Sequence, residues 1–78
     1  MNSKEIGKII KDHRKVSGLS RIELANIAGI GKTVLFDIEN GKETVQLSTI
    51  LKVLKVLNIN LELQSKLMKE FKKEQGEK

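Results

Sequence analysis

Apolar residues recur along most of this chain at intervals of three and four, and near the C-terminal end the interval changes abruptly to two. Ile6, Ile9 and Ile10, followed by His13 and Val16, predict a first helix that starts at a Ser3 cap, runs to about Ser17 and is ended by Gly18. Ser20 with Glu23 three residues on forms a capping box that opens a second helix, which Gly29 closes. A third is predicted from about Lys32 to Glu39. Leu24, Ala25 and Ala28 share a face of the second segment, Leu35 and Ile38 share one of the third, and Ile30 lies in the turn between them. Small side chains at Ala25 and Ala28 let these helices cross closely. The pair is a helix-turn-helix, and its second helix turns Lys32, Thr33, Phe36 and Asp37 away from the core.

Ser48 or Gln46 opens a fourth helix in which Leu47, Ile50, Leu51, Leu54 and Leu57 form the buried stripe, widened by Val53 and Val56, with Lys52 and Lys55 exposed. So apolar a helix in so small a domain predicts contact with a second subunit as well as with its own core. Asn58 can take the left-handed conformation that ends it. From Ile59 to Gln64 apolar and polar residues alternate strictly, which predicts a half-buried strand over about Ile59–Leu63 with Ile59, Leu61 and Leu63 on one side. A lone strand in a helical chain either pairs with its symmetry mate across a dimer or is a helical extension that happens to alternate. Pairing is favoured because unpaired buried backbone is costly. Residues 65–78 are a charged tail whose only apolar members, Leu67, Met68 and Phe71, share a helical face. The tail reads as mobile, with folding onto a partner as the alternative. The chain thus divides into a helix-turn-helix and dimerisation domain over 1–64 and a tail over 65–78.

Seventy-eight residues without cysteine make one domain near the lower limit for a self-sufficient core, so dimerisation is expected to add buried surface. The lack of Cys excludes a thiolate zinc site and a disulfide scaffold and fits a reducing interior. With no signal peptide or membrane span in the pattern, a cytoplasmic location is expected. Fifteen Lys and Arg against ten Asp and Glu give a net charge of +5, which favours a polyanionic partner without naming it. Phe36 and Phe71 are the only aromatic residues besides His13, which argues against the stacking platforms that hold single-stranded nucleic acid. His13 lies on or beside the apolar stripe and is read as a structural residue. No nucleophile and base, and no cluster of metal-ligating side chains, can be assembled, so neither catalysis nor a metal or cofactor is expected.

The segment LSRIELANIAGIGKTVLFDIENGK resembles the Xre family of phage-repressor and Cro-like regulators. Leu19, Ser20, Leu24, Ala25, Gly29, Ile30, Leu35, Ile38, Glu39 and Gly41 hold the positions of its pattern. The resemblance implies an all-α, lambda-repressor-like helix-turn-helix domain of four to five helices that acts as a dimer on a double-stranded DNA operator. It further implies that Arg14 pairs with Glu39 at the base of the recognition helix, and that Asn40, Gly41 and Lys42 hold a backbone phosphate. Three residues depart from the pattern. Arg21 stands where a glutamine usually holds a phosphate and a base, and arginine can still grip phosphate there while its base preference becomes open. Ile22 replaces a polar residue. Gly31 replaces the usual Ser or Thr cap, at a few tenths of a kcal/mol.

The stretch LSTILKVLKVLNINLEL, from Leu47 to Leu63, resembles the end of the HipB-like antitoxin branch, in which the strand builds a two-stranded sheet across the dimer. That resemblance implies an antitoxin that represses its own operon and binds a kinase-type toxin. A phage or chromosomal repressor without a toxin is the first alternative, and a protein-interaction module that has lost DNA reading is the second. In the DNA-binding reading Lys32, Thr33, Phe36 and Asp37 are the candidates for base contacts: lysine donates to guanine, Thr and Phe touch a thymine methyl, and aspartate accepts from cytosine. Arg21, Asn40 and Lys42 are the candidates for phosphate.

Overall fold

The computed structural model describes residues 1–68, and the remainder of the tail, 69–78, with Phe71, lies outside them. Four helices follow in order, α1 (Ser3–Val16), α2 (Arg21–Ala28), α3 (Lys32–Glu39) and α4 (Leu47–Val56), and the chain turns helical again at residues 66–68.

The cap of α1 is Asn2 and not Ser3. The Asn2 side chain accepts the Glu5 backbone N–H at 2.9 Å, and the Glu5 carboxylate accepts the Asn2 N–H at 3.1 Å. Ser3 cannot form such a reciprocal box, because the residue three beyond it is Ile6. The box that opens α2 is formed as expected, Glu23 N–H to Ser20 Oγ at 3.1 Å and Ser20 N–H to Glu23 Oε1 at 2.8 Å. Gly31 caps α3 and Gln46 caps α4, neither with a side-chain bond.

All four helices end alike. Gly18, Gly29, Gly41 and Asn58 adopt positive φ, 57° at Asn58, and each sits inside a Schellman pair of backbone bonds. After α4, for example, Ile59 N–H reaches the Leu54 carbonyl at 2.9 Å and Asn58 N–H reaches that of Lys55 at 3.2 Å.

The core is built from Ile10 of α1, Leu24 and Ala25 of α2, Leu35 and Ile38 of α3, and Val53 and Leu54 of α4. α3 packs on both α1 and α2, and α4 packs on α2. Gly7 lets α1 lie directly on the end of α3: a β-carbon there would collide with the carbonyl of Ile38 and come within 2.9 Å of that of Glu39. The periodicity of α1 gave no hint of this close approach.

Two expectations for the C-terminal third need correction. The stripe of α4 is narrower than its sequence suggests, since Leu47 and Leu51 are 62% and 43% exposed while Val53 and Leu54 are buried. The helix packs on α2, and of its first turn Ile50 reaches the core whereas Leu47 stands clear of it. In addition, residues 59–65 form neither helix nor strand. Asn58 stops α4, so the segment is not a helical extension. A strand exists only through ladder bonds to a neighbour, and the described residues contain no second strand to supply them. Ile59 packs on the chain's own core, whereas Leu61 and Leu63 are exposed, Leu63 at 93%. No described helix is long and apolar enough to cross a membrane.

Candidate nucleic-acid interface

α3 is anchored by its inner face and open along its outer one. Leu35, Ile38 and Glu39 are buried, and Lys32, Thr33 and Phe36 are exposed. Asp37 is half-buried, with its carboxylate 3.5 Å from Lys42 Nζ. It therefore lies beside the following turn more than on the outermost line of the helix.

What fixes the position of α3 is a charge cluster at its C-terminal end. Arg14 and Glu39 are each only 7% exposed. Arg14 Nε donates to Glu39 Oε2 at 2.6 Å, Arg14 Nη2 donates to Oε1 at 3.1 Å, and Arg14 Nη1 donates to the Leu19 carbonyl at 3.0 Å. Such a bidentate fork holds both distance and orientation, so α1, the α1–α2 turn and α3 are locked together by one side chain. A third member joins them. Arg21 Nε donates to Glu39 Oε1 at 2.9 Å, and its guanidinium carbon lies 5.1 Å from the centre of the Phe36 ring, within cation–π range. Burial pushes the Glu39 carboxyl up, but the hydrogen bonds and charges of Arg14 and Arg21 outweigh it and hold the group below the ordinary glutamate value. No buried side-chain polar atom of the described residues lacks a partner.

Arg21 was expected to grip phosphate from the start of α2, with no partner inside the chain foreseen for it. Its tie to Glu39 spans 18 residues and leaves no trace in local patterning, although an arginine in place of an uncharged residue near a buried acid is the signal that could have raised it. Arg21, Ile22, Lys32, Thr33 and Phe36 line an open concavity of about 470 Å³ where the starts of α2 and α3 meet. Asn40 and Lys42 sit apart from it, beyond the end of α3. Asn40 Nδ2 donates to the Phe36 carbonyl at 2.8 Å, which orders the turn, and Lys42 is exposed. Exposed Ile22 adds an apolar edge to the concavity. His13 has Nδ1 at 2.7 Å from the Ile9 carbonyl within α1, and it belongs to no cluster of metal-ligating groups among the described residues.

The geometry is matched by kinship. Residues 10–64 fit the family model described as helix-turn-helix. An uncharacterised HTH-type transcriptional regulator of Sinorhizobium fredii is 36% identical over 59 residues, 76% of this chain and 78% of that protein. The immF control region 10 kDa protein of Bacillus phage phi105 is 34% identical over 61 residues, 78% of this chain and 68% of that one. Among solved structures, HipB in its O4 20mer complex and in the HipA–HipB–O2–O3 complex superposes with a TM-score of 0.76 at 24% identity, covering 85% of this chain and 93% of HipB. The fold is therefore shared with HipB, and the chain belongs to the Xre-type helix-turn-helix family of DNA-binding transcriptional regulators.

Proposed function

We propose that the protein is a sequence-specific repressor that binds its operator as a dimer, each subunit laying α3 in the major groove, with the two grooves about one helical turn apart. The observation that carries this reading is the division of α3 itself. Its inner residues are locked into the core and to Arg14, while Lys32, Thr33 and Phe36 are left outward on a helix that cannot roll. In this reading Lys32, Thr33 and Phe36 contact base edges, Asp37 orients Lys42 or accepts from a cytosine, and Asn40 with Lys42 holds backbone phosphate beyond the helix end. Leu47, Leu51, Leu61 and Leu63, exposed on one chain, supply the apolar surface for the second subunit, and pairing of residues 59–63 with their symmetry mates gives the alternating segment its missing ladder.

Within this class we favour an antitoxin that represses its own operon and neutralises a kinase-type toxin, which the shared fold with HipB, solved together with HipA, supports. The phage control-region protein, more similar in sequence, supports instead a phage-type repressor. Selection of binding sites from a randomised duplex pool tests the common core of both. An inverted repeat with half-sites centred about 10 bp apart is expected, and absence of any enriched sequence contradicts it. Co-expression with the protein encoded by the adjacent reading frame separates the two: a stable complex that silences a kinase activity marks the antitoxin.

A further inference from the structure

We propose that Arg21 reads a guanine edge in the major groove and that Glu39 and Phe36 hold its guanidinium in the reading pose. This rests on the DNA-binding reading above and alters one assignment within it, since the position had been expected to grip phosphate.

A free arginine at a helix start samples many rotamers, and it can meet a phosphate from most of them. Reading a base needs one pose. Arg21 is held from two sides, by the 2.9 Å bond from Nε to Glu39 Oε1 and by the Phe36 ring 5.1 Å from its guanidinium carbon. Both supports are themselves fixed, Glu39 by the two bonds from Arg14 and Phe36 by its place on the anchored α3. The side chain of Arg21 nevertheless remains 34% exposed.

The chemistry of the guanidinium then decides what is presented. Glu39 occupies the Nε donor, and among the described residues neither terminal nitrogen of Arg21 makes a hydrogen bond. Those two nitrogens form the donor fork that fits guanine O6 and N7, the commonest specific contact to a base. Arg21 lines the concavity together with Lys32, Thr33 and Phe36, the outward residues of α3. Net charge does not separate the two partners, because two arginines sharing one glutamate leave a formal charge of +1, the same as a lone arginine; the fixed direction of the donors does.

The test uses the full chain and its selected operator. Each guanine of a half-site is replaced in turn by 7-deazaguanine, which keeps base pairing and loses the N7 acceptor, and binding is measured for the wild type, Arg21→Gln and Lys32→Ala. Wild type should lose about tenfold at one guanine per half-site, within the range of about five- to 150-fold for a bidentate contact. Arg21→Gln should be indifferent to 7-deazaguanine at that position and should regain affinity when the pair is changed to adenine, whose N6 and N7 suit an amide. Lys32→Ala should keep the sensitivity. The proposal is overturned if Arg21→Gln retains the full 7-deazaguanine penalty, if Lys32→Ala removes it, or if Arg21→Gln weakens operator and random duplex by the same factor. Ratios between duplexes are compared, so a uniform loss from imperfect folding does not imitate the result. A wild type that selects no duplex sequence fails at the earlier step, and the DNA-binding reading falls with the proposal.

Discussion

Arg14 and Glu39, 25 residues apart in the chain, meet through a 2.6 Å bond between two side chains that solvent barely reaches. A buried pair of this kind stabilises less than its Coulomb attraction suggests, because both ions are desolvated, but removing one partner strands the other. Arg21 makes the consequences unequal. Glu39→Ala leaves two guanidiniums without their anion and should cost about 3–5 kcal/mol, whereas Arg14→Ala leaves Glu39 bonded to Arg21 and should cost less. A double-mutant cycle by urea denaturation should give clear coupling. Additive losses would mean that the pair does not lock α1 to α3.

The same carboxylate makes the fold sensitive to acid. Glu39 is held below its ordinary value because the two arginines outweigh the upward push of burial. A depressed acid contributes stability that is fully present above its unfolded value, about 4.3, and that is lost as pH falls through the folded value. Unfolding free energy should therefore be nearly flat above about pH 5 with respect to this group and decline below it. Glu23 acts in the same direction, its carboxyl lowered first by the Ser20 backbone N–H and then by the Ser20 side chain. Glu39→Gln should flatten the acid limb, and an unchanged limb would assign the acid sensitivity elsewhere.

Two glycines should respond in opposite ways. At Gly7 an added methyl meets the backbone carbonyls of Ile38 and Glu39, which cannot yield without moving α3, so Gly7→Ala should destabilise by about 1–3 kcal/mol or more. At Gly31 the backbone is extended and a β-carbon finds only ordinary contact, 3.8 Å from Val34. Gly31→Ser adds the missing cap and should stabilise by a few tenths of a kcal/mol. Thermal melts of the two variants check the signs, and a neutral Gly7→Ala would contradict the close crossing.

The local features were the most legible. Ser20 with Glu23, the glycine turns and Asn58 are chemistry within four residues, and each acts where its sequence places it. Even the misplaced cap of α1 was readable, because Glu5 stands three residues from Asn2 and not from Ser3. The contacts that shape the outer face were not legible in that way. The tie from Arg21 to Glu39 and the approach of Gly7 to α3 depend on how helices cross, which no periodicity encodes. For α4, Leu47 and Leu51 satisfied the helical spacing, but which arc of a broad apolar stripe meets α2 is decided by tertiary packing. The alternation from Ile59 to Gln64 describes a preference that one chain cannot satisfy alone.

That segment yields a separate expectation. Leu61 and Leu63 are exposed whereas Ile59 belongs to the core, so Leu61→Asp with Leu63→Asp should shift sedimentation from dimer toward monomer with little change in helical signal. Ile59→Asp should lower stability outright. A wild-type chain that sediments as a monomer at high micromolar concentration would remove the dimer from the proposal.

The most direct test of the DNA-binding account is the affinity of the full chain for its selected operator and for a random duplex across a range of salt concentrations. Counterion release from phosphate contacts predicts log affinity falling linearly with log salt on both duplexes, at a slope of about −0.9 for each phosphate neutralised. The operator should remain tighter throughout. Lys42→Ala should weaken both duplexes alike and reduce the slope by about one for each lysine lost, while Lys32→Ala should erode the preference for the operator by about 1–3 kcal/mol. Affinity that does not depend on salt, or an operator and a random duplex bound equally at every salt concentration, would contradict a sequence-reading role for α3.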